Sequence, residues 1–312
     1  NRLSYRLDSL AKEYVGIGKD EKVLQAAAKA WEIDAKKDLW KLPSMYVGQY
    51  AEKDAEATLK LWQRLETELY AQELTDIFKL ESRLFPCLVD MRFKGVRVDI
   101  DKAHKIKKTL IQRENTILDK IKKLTNVDVE IWAAASIAKV FDYLKLPYDR
   151  TAKTNKPSFT KNFLANHPHE IAKDIASARE INKAHTTFIE TILKHSHKGR
   201  IHADINQIRS DDGGTVTGRF SMSNPNLQQI PARHKDLGPL IRSIFIPEQD
   251  CKWGTFDYSQ QEPRILVHYA KLQELPGVNE IVDAYRAGDA DFHQVVADMA
   301  GIERKQAKTI NL

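Results

Sequence analysis

Three stretches of the 312-residue chain place reactive side chains at spacings that could do chemistry. In 257-DYSQQEPR-264, Asp257 closes a run that reads as a strand, and Glu262 follows in what reads as the next helix. A carboxylate at the end of a buried strand is a common holder of a divalent cation. The strand fixes the side chain, and the irregular link exposes a carbonyl as a second oxygen ligand. The same spacing also suits a helix N-cap aspartate with a first-turn glutamate. In 304-RKQAK-308, Arg304 and Lys308 share one helix face. Two cations aimed together can clamp a polyphosphate, or can simply form a solvated helix end. The third stretch, 217-TGRFSMSNPNLQQIP-231, offers a glycine for close backbone approach, the donor fork of Arg219 and the amides of Asn226, Gln228 and Gln229. Arg, Asn and Gln suit minor-groove acceptors; a polar surface loop would look the same.

The elements that must position these groups follow from periodicity. Leu3, Leu7, Leu10 and Tyr14 have helical spacing. Residues 50–80 read as one long helix, with Leu59, Trp62, Leu65 and Leu69 as its apolar stripe. A glycine turn at Lys94-Gly95-Val96 leads to a short alternating stretch, and Asp99 or Asp101 then caps a helix over about 101–124. Its buried stripe is Ile106, Leu110, Ile117, Ile121 and Leu124. Residues 145–163 read as a long basic loop and 168–194 as helix. The stretch 200–210 alternates like a strand, and 211–231 is long and irregular, which is usually functional. Then 242–248 and 252–259 look like paired strands, followed by a helix over 262–272 with Pro263 in its first turn. There are no internal repeats. The helical pattern at either end suggests a piece of a longer protein, of two or three domains.

The composition, 42% hydrophobic and 29% charged, is that of a folded globular chain. No apolar run is long enough for a membrane helix, so no membrane partner is expected. Two cysteines, Cys87 and Cys251, exclude a disulfide framework and a cysteine-rich zinc site and fit a reducing compartment. The net charge of +6 is unevenly spread: residues 101–200 carry +9 and the remainder −3. A basic middle segment is the footprint of a phosphate-backbone binder, although a solvated lysine-rich face would share it.

Taken in order, these pieces resemble DNA polymerase I and the family A DNA polymerases. TGRFSMSNPNLQQIP is similar to the family's TGRLSS-x-x-PNLQNIP segment. TFDYSQQEPRILVHYA is similar to its first palm motif, DYSQIELR. RKQAKTINL is similar to the start of the fingers helix, R-x-x-x-K-x-x-x-F/Y. Upstream, 50-YAEKD-54 fits the Y-x-x-x-D of the attached 3′–5′ exonuclease, and 5-YRLDSLAKEYV-15 resembles the helix before it. The resemblance implies an α+β fold, the polymerase right hand behind a partial RNase H-like exonuclease domain. It implies the end of the exonuclease domain at 1–68, a connecting helix and palm entry at 69–100, a thumb at 101–200, palm at 201–275 and the start of the fingers at 276–312.

The resemblance also implies roles. Asp257 matches a palm carboxylate that, with its pair, holds two Mg2+ ions (Mn2+ being a substitute), with the Tyr258 carbonyl as a further ligand. Glu262 matches the residue that walls off the sugar 2′ position. Arg304 and Lys308 match the cations on the incoming dNTP, Lys308 being the proton donor to pyrophosphate. Gln260 and His293 fall among the nucleotide contacts, and Leu312 stands where an aromatic residue usually packs near the sugar. Arg219, Asn226, Gln228 and Arg264 match contacts to primer-template DNA. Lys153, Lys156, Lys161, Arg179 and Lys183 are the expected phosphate contacts of the thumb. Tyr50 and Asp54 match the last exonuclease motif, where the Asp binds metal and the Tyr orients water; a helix pair without chemistry has the same spacing. A processivity factor or a replisome helicase or primase would be further partners. The setting implied is the cytoplasm of a bacterium or a phage-infected host, with an organelle as alternative.

Gln261 and Pro263 replace the usual Ile and Leu, a departure read as a phage-type lineage variant. Leu312 puts sugar discrimination in question. The second palm carboxylate and the earlier exonuclease carboxylates find no match here, so these residues alone are expected to show little polymerase or exonuclease activity. Two other readings share the motifs: a non-catalytic DNA-binding module, and a protein acting mainly as an exonuclease.

Overall fold

The computed structural model describes residues 4–18, 21–211, 213–232, 234–288 and 291–310, the side chains of Met299 and Ile310 excepted. It divides into two compact units, Asn1–Gln249 and Asp250–Leu312. The fold is α+β, helix-rich with small antiparallel sheets.

The first unit opens with α1 (Leu7–Val15), α2 (Lys22–Ala30), α3 (Ser44–Ala71) and α4 (Thr75–Lys94). Leu3 lies outside the described residues. The single helix expected over 50–80 is broken at 72–74, where Glu73 takes a left-handed backbone (φ 55°). The buried face of α3 is Ala57 and Leu61, not the expected stripe: Leu59 and Trp62 are exposed, and the Trp62 ring instead meets Phe78 of α4 at 5.4 Å. Helix α4 ends at Gly95, where φ is +63° and an added Cβ would fall 2.7 Å from the Ile201 carbonyl oxygen. Glycine is therefore required both by conformation and by close approach.

Strand β1 (Val96–Arg97) then leads into α5 (Ile100–Thr125). Of the two candidate caps, Asp99 does the capping, accepting from the Lys102 amide at 2.9 Å. Asp101 in the first turn and Lys122 and Lys123 in the last complement the helix dipole, and Asn126 closes the helix in a left-handed conformation. Ile106, Leu110 and Ile121 are buried as expected. Leu124 is exposed, and the buried row includes Glu114 instead.

Next come α6 (Ala134–Tyr143), β2 (Asp149–Arg150), β3 (Pro157–Ser158), α7 (Lys161–Asn166) and α8 (Glu170–Lys183). The expected basic loop is thus an antiparallel hairpin, with Asp149 opposite Ser158. Helix α8 continues through a π-helical stretch, Ala184–Ile189, into α9 (Glu190–His195). One apolar cluster fills the far end of this bundle around Ile121, Phe141, Leu164 and Ile175. A second lies at its base around Leu110, Ile181, Ile189, Ile201 and Ile241.

Strands β4 (Ser196–His197) and β5 (Arg200–Ile201) join β1 in a sheet of order β1-β5-β4. The alternating stretch 200–210 is two short strands rather than one. Its second, β6 (Asp204–Asn206), pairs with β7 (Ser221–Ser223) inside the stretch expected to be irregular. Helix α10 (Leu237–Arg242) follows. The pairing expected between 242–248 and 252–259 does not form. The first segment pairs with 97–99 instead: Asp99 donates to the Ile244 carbonyl and Ile246 to the Arg97 carbonyl. Arg200 then fixes Glu248 through two bonds of 2.8 and 2.7 Å.

The second unit holds α11 (Gln261–Leu272), α12 (Val278–Ala287), α13 (Phe292–Ala300) and α14 (Arg304–Ile310) around Val267, Val278 and Tyr285.

Candidate active site and nucleic-acid interface

Asp257 lies in the second unit just before α11, on a segment without regular structure that no described strand pairs with. Alternation alone cannot create a strand; its amides and carbonyls need a neighbouring ladder. Asp257 and Tyr258 are both exposed, and Glu262 sits exposed in the first turn of α11.

Gln260 precedes α11 in a left-handed conformation. Its side-chain carbonyl accepts from the Tyr285 hydroxyl at 3.2 Å and from the Phe292 amide at 3.0 Å, tying the starts of α11 and α13 together. Arg264 stacks its guanidinium over the Tyr285 ring at 4.6 Å and donates from Nε to the Ser259 carbonyl. Burial pushes the Tyr285 phenol above its ordinary pKa.

Asp291 caps α13. Its Oδ1 accepts from the amides of His293 and Gln294, at 3.1 and 3.2 Å. Its Oδ2 accepts from Arg304 Nε at 2.6 Å. The bond from Arg304 holds the Asp291 carboxyl below the usual carboxylate range. The His293 ring is buried beside Phe292. Lys308 is exposed, one turn beyond Arg304 on α14. Leu312 lies outside the described residues.

In the first unit, segment 217–231 is held by the side chains that sequence marks out. Asn226 Oδ1 accepts from the Gln228 amide at 3.0 Å, and the Gln228 side chain donates to the Phe220 carbonyl at 3.1 Å. Leu227 and Ile230 pack on the base cluster. Arg219 is exposed, and its carbonyl accepts from Thr215 Oγ1.

The basic side chains of 101–200 divide into two kinds. Lys153 and Lys156 are exposed on the β2–β3 hairpin. Lys161 is exposed and lies 3.5 Å from Glu180, and Lys183 lies over the Phe188 ring. Arg179 is built into the fold. Its Nε donates to the Ile131 carbonyl at 2.6 Å, one Nη donates to the Phe159 carbonyl at 2.7 Å, and its guanidinium covers the Trp132 ring. Burial pushes the Arg179 pKa down.

Tyr50 and Asp54 are both half-buried on α3. Tyr50 packs on Leu24, Ala27, Ala28 and Leu42 and lines a cavity of about 260 Å³ with Glu21, Leu24, Gln25, Ala35, Lys36 and Leu39.

Sequence reasoning missed a buried polar chain inside the helical bundle. Glu114 Oε2 meets His185 Nε2 at 2.5 Å, and Glu114 Oε1 accepts from Asn182 at 2.9 Å. Asn182 in turn accepts from Trp132 Nε1 at 2.8 Å. The only available signal was a glutamate in an apolar row of α5.

Among the described residues no group of three or more His, Cys, Asp or Glu side chains could hold a metal ion. None of their helices is long and apolar enough to cross a membrane.

Comparison with known proteins gives a consistent set. The family model described as DNA polymerase family A matches residues 100–312. A DNA-directed DNA polymerase of Pseudomonas phage M6 is 38% identical, the alignment covering 99% of this chain and 49% of that protein. DNA polymerase DpoZ of Salmonella phage PMBT28 is 33% identical over 99% of this chain and 53% of its own length. DNA polymerase I of Pseudomonas aeruginosa is 30% identical over 98% and 33%. The chain thus spans about half the length of the phage relatives it matches. A solved structure, the POL domain of Pol1 from M. smegmatis in complex with DNA primer-template and dNTP, shares the fold. Its TM-score is 0.71 at 22% identity, over 99% of this chain and 51% of that one.

Proposed function

The chain belongs to DNA polymerase family A, and on that premise we propose that the protein carrying it performs template-directed DNA synthesis, joining dNTPs to a primer 3′-hydroxyl. The observation that carries this reading is the family match over 100–312, which spans both DYSQQEPR and RKQAK.

Metal dependence is general in this family. The Asp257 carboxylate and the Tyr258 carbonyl are hard oxygen donors of the kind Mg2+ takes. That ion keeps several waters and completes its shell with substrate phosphates, so a partial protein site fits it. Bound there, two Mg2+ ions, or Mn2+ in their place, would supply Lewis-acid stabilisation of the triphosphate and the attacking oxygen.

The remaining roles fall to the chain itself. Arg304 and Lys308, adjacent on one face of α14, bind the triphosphate, and Lys308 gives its proton to the leaving pyrophosphate. Glu262 excludes a sugar 2′-hydroxyl. Gln260 sets the junction of α11 and α13, which supports its place near the nucleotide. His293 and Leu312 complete the nucleotide surroundings. Arg219, Asn226, Gln228 and Arg264 face the primer-template. The exposed Lys153, Lys156, Lys161 and Lys183 bind backbone phosphate in a thumb spanning 101–200, flanked in sequence by palm segments. Tyr50 and Asp54 belong to a 3′–5′ proofreading site. A processivity factor or a helicase or primase is a further partner, and the cytoplasm of a bacterium or phage-infected cell is the setting.

Primer extension by the full-length protein tests the reading. Wild-type protein with Mg2+ should extend a primer only opposite template, and the 312 residues alone should not. Template-independent addition, or none, by the full-length protein would overturn it.

A further inference from the structure

The start of α13 is closed to an anion. The amides of Phe292, His293 and Gln294, which at an open helix N-terminus could bind phosphate, are all taken: the first by Gln260 and the other two by Asp291 Oδ1. A triphosphate at this place must therefore be met by side chains.

The second oxygen of Asp291 has a separate task. It accepts from Arg304 Nε at 2.6 Å, across the turn between α13 and α14. An arginine held by Nε keeps its Nη edge for a planar, two-bond grip on phosphate oxygens. Both side chains are partly exposed, so the pair adds little to stability. Its effect is on where the guanidinium points.

We propose that Asp291 is a positioning residue for nucleotide binding: Oδ1 fixes the start of α13, and Oδ2 aims Arg304 at the incoming triphosphate. This rests on the reading of Arg304 as a triphosphate ligand. The aspartate is needed because the two tasks require two acceptor oxygens. Asparagine retains one oxygen for the cap but presents an NH2 group to the Nε–H, donor against donor.

The test is a double-mutant cycle in the full-length polymerase, with KM for dNTP and kcat measured separately at 0.3 M salt, about the level at which long-range charge effects are screened. Asp291→Asn should raise KM about fivefold to tenfold, the cost of ordering one arginine on binding, and should leave kcat within about twofold because the variant does not touch the reacting atoms. In an Arg304→Ala background the same substitution should change nothing further. An equal rise in both backgrounds would overturn the proposal, showing that Asp291 acts through the helix cap. No rise in the wild-type background would overturn it too. If Arg304→Ala alone leaves KM unchanged, the assignment of Arg304 to the triphosphate fails, and the proposal with it.

Discussion

The Glu114 carboxylate and the His185 ring meet at 2.5 Å with both side chains buried between α5 and the π-helical stretch after α8. Asn182 satisfies the other carboxylate oxygen, and Trp132 satisfies Asn182. The pair thus fastens the long helix of the basic segment to the helix that packs across it. Glu114→Ala would leave the imidazole and the amide without their acceptor, and each buried polar group left unsatisfied costs about 1–3 kcal/mol. Urea unfolding of the variant should show a loss of that order. A change within experimental error would mean that water replaces the carboxylate.

Arg113 and Asp236 join α5 to the segment leading into α10, and the arginine holds the Asp236 carboxyl below its usual range. A depressed carboxylate pKa contributes stability above the unfolded value, about 3.9, and that contribution is lost as pH falls through the lower folded value. Both groups are more than a third exposed, so the effect should stay within about 1 kcal/mol. Wild type should therefore melt slightly above Asp236→Asn at pH 6, with the gap closing near pH 3. A gap that widens on acidification would contradict the sign.

Arg179 and the hairpin lysines should separate cleanly. Arg179→Lys loses the Nε bond to Ile131 and the Nη bond to Phe159 and should cost about 1–2 kcal/mol of stability. Its dependence of DNA binding on salt should be unchanged. Lys153→Gln and Lys156→Gln should leave stability unaltered, weaken primer-template binding, and each reduce the magnitude of the salt slope by about one. The reverse pattern would move the DNA contact to Arg179.

On the proposed reading, Leu312 takes the place beside the sugar to which the resemblance assigns an aromatic residue. Wild type and Leu312→Tyr should differ in dideoxynucleotide incorporation by the full-length enzyme. Equal incorporation would remove that residue from sugar selection.

What sequence could and could not reveal follows from how far apart the partners lie. The Asp99 cap, the Gly95 turn and the core row Ile106, Leu110 and Ile121 are local patterns, and all were legible. Glu114 was not, because nothing local distinguishes a buried glutamate whose partner is 71 residues away. The strand expected at 252–259 had the right alternation. Alternation is silent about a partner, however, and its expected mate pairs with 97–99. Charge counting made Arg179 one more cation of a basic segment; only the fold reveals the two carbonyls that hold it. The family was legible from the motifs between Asp257 and Lys308 taken as a set, because their order along the chain carries more information than any one residue.

The central claim is that Asp257 serves templated nucleotidyl transfer, and one measurement addresses it most directly. Primer extension with Mg2+ should be compared for the full-length protein and its Asp257→Asn variant. The residue is exposed, so the substitution should leave the fold intact. The rate should fall by about a thousandfold or more, the several kcal/mol that a metal-holding carboxylate contributes. Extension by the variant at the wild-type rate would contradict the account.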